Sequence, residues 1–256
     1  MKKLYLTILL ATFGFVVHAD DRALVTMNGK PLVTVSDYNQ KKKEFINYFN
    51  NEVLEEFKVT LLDLVMGLAF ATDYIEKNKI DKQSDYLDEL NQEKSQARDA
   101  FFRKQFVATV SDEEIMAEYE RYRSDYPILD ERTRHLVKRN LEYRKSFNLR
   151  KEKIKDLKKK YKVKAANDNI ATDIVIEKYL KEKGLDQQFE YQAGQNIATY
   201  TAIVQSFLKN FPKIQGIEEA TQPGKERIEQ LKKIAEELKK EHNIVVNGEL
   251  LEKISE

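Results

Sequence analysis

The chain has 256 residues, 34% of them charged and 41% hydrophobic, with 8 glycines, 4 prolines and no cysteine. That length suits one or two domains, the scarcity of turn residues favours long helices over sheet, and the lack of cysteine excludes disulfides, thiolate nucleophiles and Cys-ligated metals. A formal net charge of +1 gives the molecule no overall field with which to attract a polyanion.

Lys2 and Lys3 precede an apolar run from Leu4 to Val17, shorter than the roughly 20 residues of a membrane span. Val17-His18-Ala19 then sets small residues ahead of a cleavage after Ala19. This three-part pattern is that of a secretory signal peptide. The mature chain is expected to begin at Asp20, to be exported and to be soluble.

Ala23–Met27 and Pro31–Val35 are β-prone and flank the turn signal Asn28-Gly29. Ser36 and Asp37 open a helix that runs to about Asn50. A second helix, from near Glu52, sets Phe57, Leu61, Leu64, Val65 and Leu68 on one face, widened by Leu62, Met66 and Phe70. Ser84-Asp85 opens a third helix that carries Tyr86, Leu90, Ala97, Ala100, Phe101, Phe102 and Phe106. Ser111 with Glu114 three residues on is a capping box for a fourth, from Asp112, which stops before Pro127.

Arg132 to Tyr161 is helix-prone throughout and has neither Pro nor Gly. Lysine and arginine dominate Lys138–Lys164, whereas carboxylates dominate Asp81–Glu120. The two stretches are expected to pair in part by charge, each exposed pair contributing little. Further on, Ile170–Lys183, Phe189–Asn210 and Lys225–His242 are predicted helices, with breaks at Pro212–Gly216 and Pro223-Gly224. Ile244-Val245-Val246 is expected to pair with Leu24–Met27 or with Val163, and the last eight or so residues to fray. Ala71–Lys77 has an echo in Ala171–Lys178, and Leu157–Val163 an echo in Leu238–Val246. Two related helical units are therefore an open reading, at an offset that is not constant. The chain thus divides into a signal peptide, 1–19, a helical domain, 20–164, and a second helical unit with a C-terminal strand, 165–256. The fold class is mainly α with short β-strands.

Chemical signatures are sparse. His135 and His242 have no second ligand at metal spacing, and there is no Gly-rich phosphate loop and no nucleophile elbow. No catalytic residue, metal or cofactor is expected. The basic stretch 138–164 reads as the solvated back of a helix, and a peripheral membrane contact through it stays open. Its acidic counterpart and the export signal argue against nucleic acid. A short first strand and long helices leave a homodimer by segment exchange open as well.

The order of motifs resembles the exported chaperones of the SurA, PpiD and PrsA group. It is carried by the signal peptide, Val25-Thr26-Met27-Asn28-Gly29-Lys30-Pro31-Leu32, Ser36-Asp37-Tyr38, Tyr74–Ile80, Tyr86–Leu90, and Val110-Ser111-Asp112-Glu113-Glu114-Ile115 with Tyr119. The likeness spans about residues 23–127, with Leu129–Val163 as the helix and strand that complete a SurA N-domain-like body. Arg134-His135-Leu136-Val137 imitates the opening strand of the family's parvulin isomerase, but the Gly-rich sequence and Gly-Tyr-His segment that should follow are missing. The resemblance therefore implies a periplasmic, ATP-independent holdase for unfolded outer-membrane or secreted proteins, without isomerase activity. A divergent prolyl isomerase and a dedicated periplasmic adaptor are the alternatives. Flexible and flat apolar side chains suit a groove for varied clients, and Met27, Phe49, Phe57, Met66, Phe70, Phe102 and Phe106 are its candidate lining.

Overall fold

The computed structural model describes residues 22–48, 60–125, 128–211 and 223–255. The fold is mainly helical with one three-stranded antiparallel sheet, as the composition implied. Asn28 and Gly29 both adopt left-handed angles, φ 51° and 78°. A tight turn needs that conformation, and it joins β1 (Ala23–Met27) to β2 (Lys30–Thr34). β3 (Ile244–Val246) takes the other edge of β1, giving the order β2-β1-β3. The Asn28 N–H donates to the Asn243 carbonyl at 2.9 Å, and its Oδ1 accepts from the Asn243 N–H at 3.1 Å. Of the two partners expected for Ile244–Val246, the first strand is the one found.

Helix α1 (Val35–Tyr48) follows β2 directly. Its cap is Thr34 rather than the expected Ser36. The Thr34 hydroxyl accepts from the Asp37 N–H at 3.1 Å, while the Asp37 carboxylate accepts from the Thr34 N–H at 3.0 Å. Thr34 ends a strand and so has the extended backbone a cap requires, whereas Ser36 already lies in the helix. Phe49, Phe57 and the expected helix start at Glu52 lie outside the described residues. Helix α2 (Leu61–Lys77) begins at a Thr60 cap. Helix α3 (Ser84–Lys104) has Gln83, not Ser84, at the cap position. Helix α4 (Asp112–Arg121) carries the anticipated Ser111–Glu114 capping box. Then come α5 (Glu131–Tyr161), α6 (Asp168–Glu182), α7 (Phe189–Asn210), α8 (Pro223–Glu241) and α9 (Gly248–Ser255). The last residues thus form a helix where fraying was expected. Leu250 is buried, Leu251 and Ile254 pack on the main core, and the Asn247 side chain accepts from the Leu250 N–H at 3.1 Å.

The helices α2–α3 and α6–α7 are two copies of one motif. In each a helix ends, one residue turns left-handed (Lys79, φ 56°; Gly184, φ 65°), a single 3-10 turn follows, and a longer helix begins. Tyr74, Asp81, Gln83, Tyr86, Phe102 and Phe106 recur at one constant displacement as Tyr179, Asp186, Gln188, Tyr191, Phe207 and Phe211. This recurrence covers one helix–turn–helix in each half, and the expected alignment of Ala71–Lys77 with Ala171–Lys178 is out of register with the shared turn.

The copies exchange partners. The main core joins Leu64, Val65, Leu68, Ala71 and Ile75 of α2 to Val204 and Phe207 of α7 and to Ile228, Leu231, Ile234 and Leu238 of α8. A second core joins Val175, Ile176 and Leu180 of α6 to Phe101 and Phe102 of α3 and Leu157 of α5. Each core therefore contains the first helix of one copy and later helices of the other. Helices α3 and α7 run antiparallel between the two cores, with Lys209 on Glu89 (2.9 Å) near one end and Lys104 on Glu190 near the other. Arg98 of α3 forks onto Asp173 of α6, at 3.0 and 2.7 Å. The boundary expected at residue 164 is thus no boundary of the hydrophobic core, because both cores draw side chains from either side of it.

Helices α4 and α5 pack as a hairpin beside this body, with Ile115, Tyr119, Val137 and Leu141 buried. The expected charge pairing occurs here, through Arg144–Glu118 (2.5 Å) and Lys145–Glu114, and Arg134, ahead of the basic stretch, adds a pair with Asp112 (2.7 Å). The basic stretch also pairs with α6, outside the acidic stretch expected, through Lys158–Asp168 (2.7 Å) and Lys160–Glu182 (2.5 Å).

Candidate functional site: an apolar groove between α3 and α7

Small residues open a groove of about 570 Å³ along the antiparallel pair. Ala97 and Ala100 of α3 face Ala193, Gly194 and Ala198 of α7, so neither helix fills the space between them. A helix presents residues three and four apart on one face, which is why 97, 100, 101 and 104 line one side and 190, 193, 194 and 197 the other. Phe101 and Tyr191 meet edge to face, with centroids 5.4 Å apart and planes at 74°. Phe189 stands at the rim, 52% exposed. Glu44, from the end of α1, closes part of the groove. The volume falls in the range of ordinary ligand sites, and the groove is partly open to solvent.

Glu44 is a buried carboxylate, 4% exposed. It accepts from the Tyr200 hydroxyl at 2.5 Å, the Asn196 amide at 2.7 Å and the Gln40 amide at 3.4 Å. Burial, then this hydrogen bond, pushes the Tyr200 phenol far above its ordinary range, so it remains a donor.

The expected lining residues are elsewhere. Met66 is buried in the main core, with Met27 and Phe70 packed against it. Phe102 is buried in the second core, with Phe106 against it. The five described residues are thus divided between two cores and form no common surface. Phe70 sits edge-on to Phe207, 5.7 Å between centroids and 70° between planes. Large apolar side chains gain most from full burial, which Met66 and Phe102 reach, while Met27, Phe70 and Phe106 are partly buried. Of the groove residues found here, only Ala97, Ala100 and Phe101 had been singled out, and as helix face rather than as site. Glu44 sits in a charged run of α1 that carries no local sign of burial.

Arg134-His135-Leu136-Val137, which imitates the first strand of an isomerase, lies within α5, with His135 exposed. His242 is half buried. It lies beside Phe70, 5.7 Å between ring centroids, with its Nδ1 3.1 Å from the Asn28 side-chain amide. Among the described residues no three His, Asp or Glu side chains gather as a metal-binding group, and no helix is long and apolar enough to cross a membrane. Comparison with family models, curated proteins and solved structures returned no match.

Proposed function

We propose that this chain is a periplasmic, ATP-independent holdase that shields apolar segments of unfolded clients, outer-membrane proteins foremost. The groove between α3 and α7 carries the reading. Its floor is small and apolar, aromatic rings stand among its walls, and it is partly open to solvent, which suits apolar side chains of a segment of varied sequence. Charged outer helix faces, such as that of α5, would keep a loaded complex soluble. The order of motifs shared with exported chaperones supports the same conclusion.

The test uses the mature chain from Asp20. A urea-unfolded outer-membrane protein is diluted into buffer and its light scattering followed. The parent chain is expected to suppress scattering near equimolar ratio. A Cβ added at Gly194 meets no atom within 4 Å, so Gly194→Leu has room at its branch point and extends from there into the groove. That variant should fold as the parent does and lose suppression. Full suppression by Gly194→Leu would move the client surface elsewhere. No suppression by the parent would favour a dedicated adaptor, and accelerated proline isomerisation in a parallel assay would favour the divergent isomerase.

A further inference from the structure

The basic helix α5 divides its cations between two uses. Arg134, Arg144 and Lys145 pair with α4, and Lys158 and Lys160 pair with α6. No ion pair joins Arg139, Arg150 or Lys151 to any described residue. These three share their side of the helix with exposed rings. Arg139, Tyr143, Phe147 and Lys151 fall at intervals of four, a spacing that sets side chains in one row along a helix, roughly 18 Å from end to end. Tyr143 is 68% exposed and Phe147 50%. Between Arg132 and Lys151 the helix holds a single carboxylate, Glu142, and Lys138 stands 3.9 Å from it.

One exposed ring is ordinary on a protein surface. Two rings four residues apart, with an unpaired cation at either end of their row, have the composition of a helix face that lies in a membrane interface. The rings can reach the acyl boundary while the longer arginine and lysine side chains stay at the phosphates. A nucleic acid calls for a cationic groove that tracks its backbone, and one outer face of a single helix offers none.

We infer that the Arg139–Lys151 face of α5 docks on the surface of a bilayer that contains anionic phospholipid. The contact uses the half of the basic stretch where cations alternate with rings, rather than its lysine-rich end, where Lys158 and Lys160 are engaged with α6. It is separate from the groove between α3 and α7 and does not depend on what that groove holds.

The chain from Asp20 is used for the test, since the apolar run Leu4–Val17 would itself seek lipid. Vesicles of phosphatidylcholine and phosphatidylglycerol in equal parts should carry the chain upward in a flotation gradient, and vesicles of phosphatidylcholine alone should leave it behind. Arg139→Gln with Lys151→Gln should weaken binding about fivefold for each charge removed, and Tyr143→Ser with Phe147→Ser about tenfold. Lys159→Gln with Lys164→Gln removes the same charge from the other end and should cost less than about twofold. All six positions are exposed, and circular dichroism checks that each variant keeps the parent fold. The chain has no tryptophan, so Phe147→Trp supplies a lone reporter whose emission should move to shorter wavelength on the mixed vesicles. Flotation with neither vesicle, or equally with both, would overturn the inference. An equal loss from the Lys159 pair, or an unmoved emission, would overturn the assignment to this face. A labelled single-stranded DNA that binds more tightly than the mixed vesicles, and weakens with the Arg139 pair, would give the face to nucleic acid instead.

Discussion

Tyr74 and Tyr179 occupy the same place in two different cores. Tyr74 sets its ring edge-on to Phe207 and Phe211, at 5.1 and 5.4 Å between centroids. Tyr179 meets Phe102 edge-on at 5.6 Å and Phe106 at 6.0 Å. Each tyrosine ends the first helix of its own copy and is received by the phenylalanine pair of the other. Double-mutant cycles should therefore show coupling of about 0.5–1.5 kcal/mol for Tyr74 with Phe207 and for Tyr179 with Phe102. The mismatched cycle of Tyr74 with Phe102 should be additive. Coupling in the mismatched cycle, read from urea denaturation, would contradict the exchange.

Two helical glycines should respond to alanine with opposite sign. A Cβ at Gly67 would lie 2.5 Å from the Leu231 carbonyl oxygen, which is backbone and cannot rotate away. Gly67→Ala should force α2 from α8 and cost about 1–3 kcal/mol. Gly194 opens onto the groove, so Gly194→Ala should stabilise α7 by about 0.5–1 kcal/mol, the usual helix preference for alanine. Thermal melts of the two variants decide it.

Neither half should fold alone. A fragment of residues 22–164 would leave Leu64, Val65 and Leu68 without α7 and α8, and Phe102 without α6. Each such side chain loses about 1.5–3 kcal/mol of burial, more than a small core can spare. Fragments 22–164 and 165–256 should each unfold without a cooperative transition, and an equimolar mixture should regain one. A sharp melt of either fragment by itself would show that the cores are separable.

Alkaline pH should weaken the fold through Tyr86. Its phenol is pushed up to about 12 by burial first, then by Asp81, Glu76 and Glu89. The folded chain keeps a proton that the unfolded chain releases near the ordinary value of 10.0. Stability contributed by the neutral phenol is thus complete below that value and declines as pH rises toward about 12. Tyr86→Phe should flatten the alkaline limb of the denaturation midpoint. Part of the slope should persist, since Tyr161 is likewise raised to about 12.

Local signals in the sequence were read well where one or two residues decide a conformation. Asn28-Gly29 turns the hairpin, and Ser111 with Glu114 starts α4. The misread cap at Ser36 came from ranking a side chain without the strand end before it. The repeat was seen at the wrong register because helix surfaces such as Ala71-Thr72-Asp73 resemble one another by chance. The left-handed residues Lys79 and Gly184, which pin the true register, share no side chain. The groove leaves little trace in the sequence for a related reason. Large apolar residues such as Met66 and Phe102 are drawn inside by their size. The groove is instead made by what Ala97, Ala193 and Gly194 lack.

The pairing of β1 with β3 places the first described strand against one almost at the chain's other end. During synthesis Val25 and Met27 would wait, with one row of backbone donors and acceptors unmet, until Ile244–Val246 had emerged. Such distant closure slows folding, and an open strand edge invites other strands in the meantime. On the holding function proposed above, a cover for the apolar segments of other chains would itself need cover while it is being made.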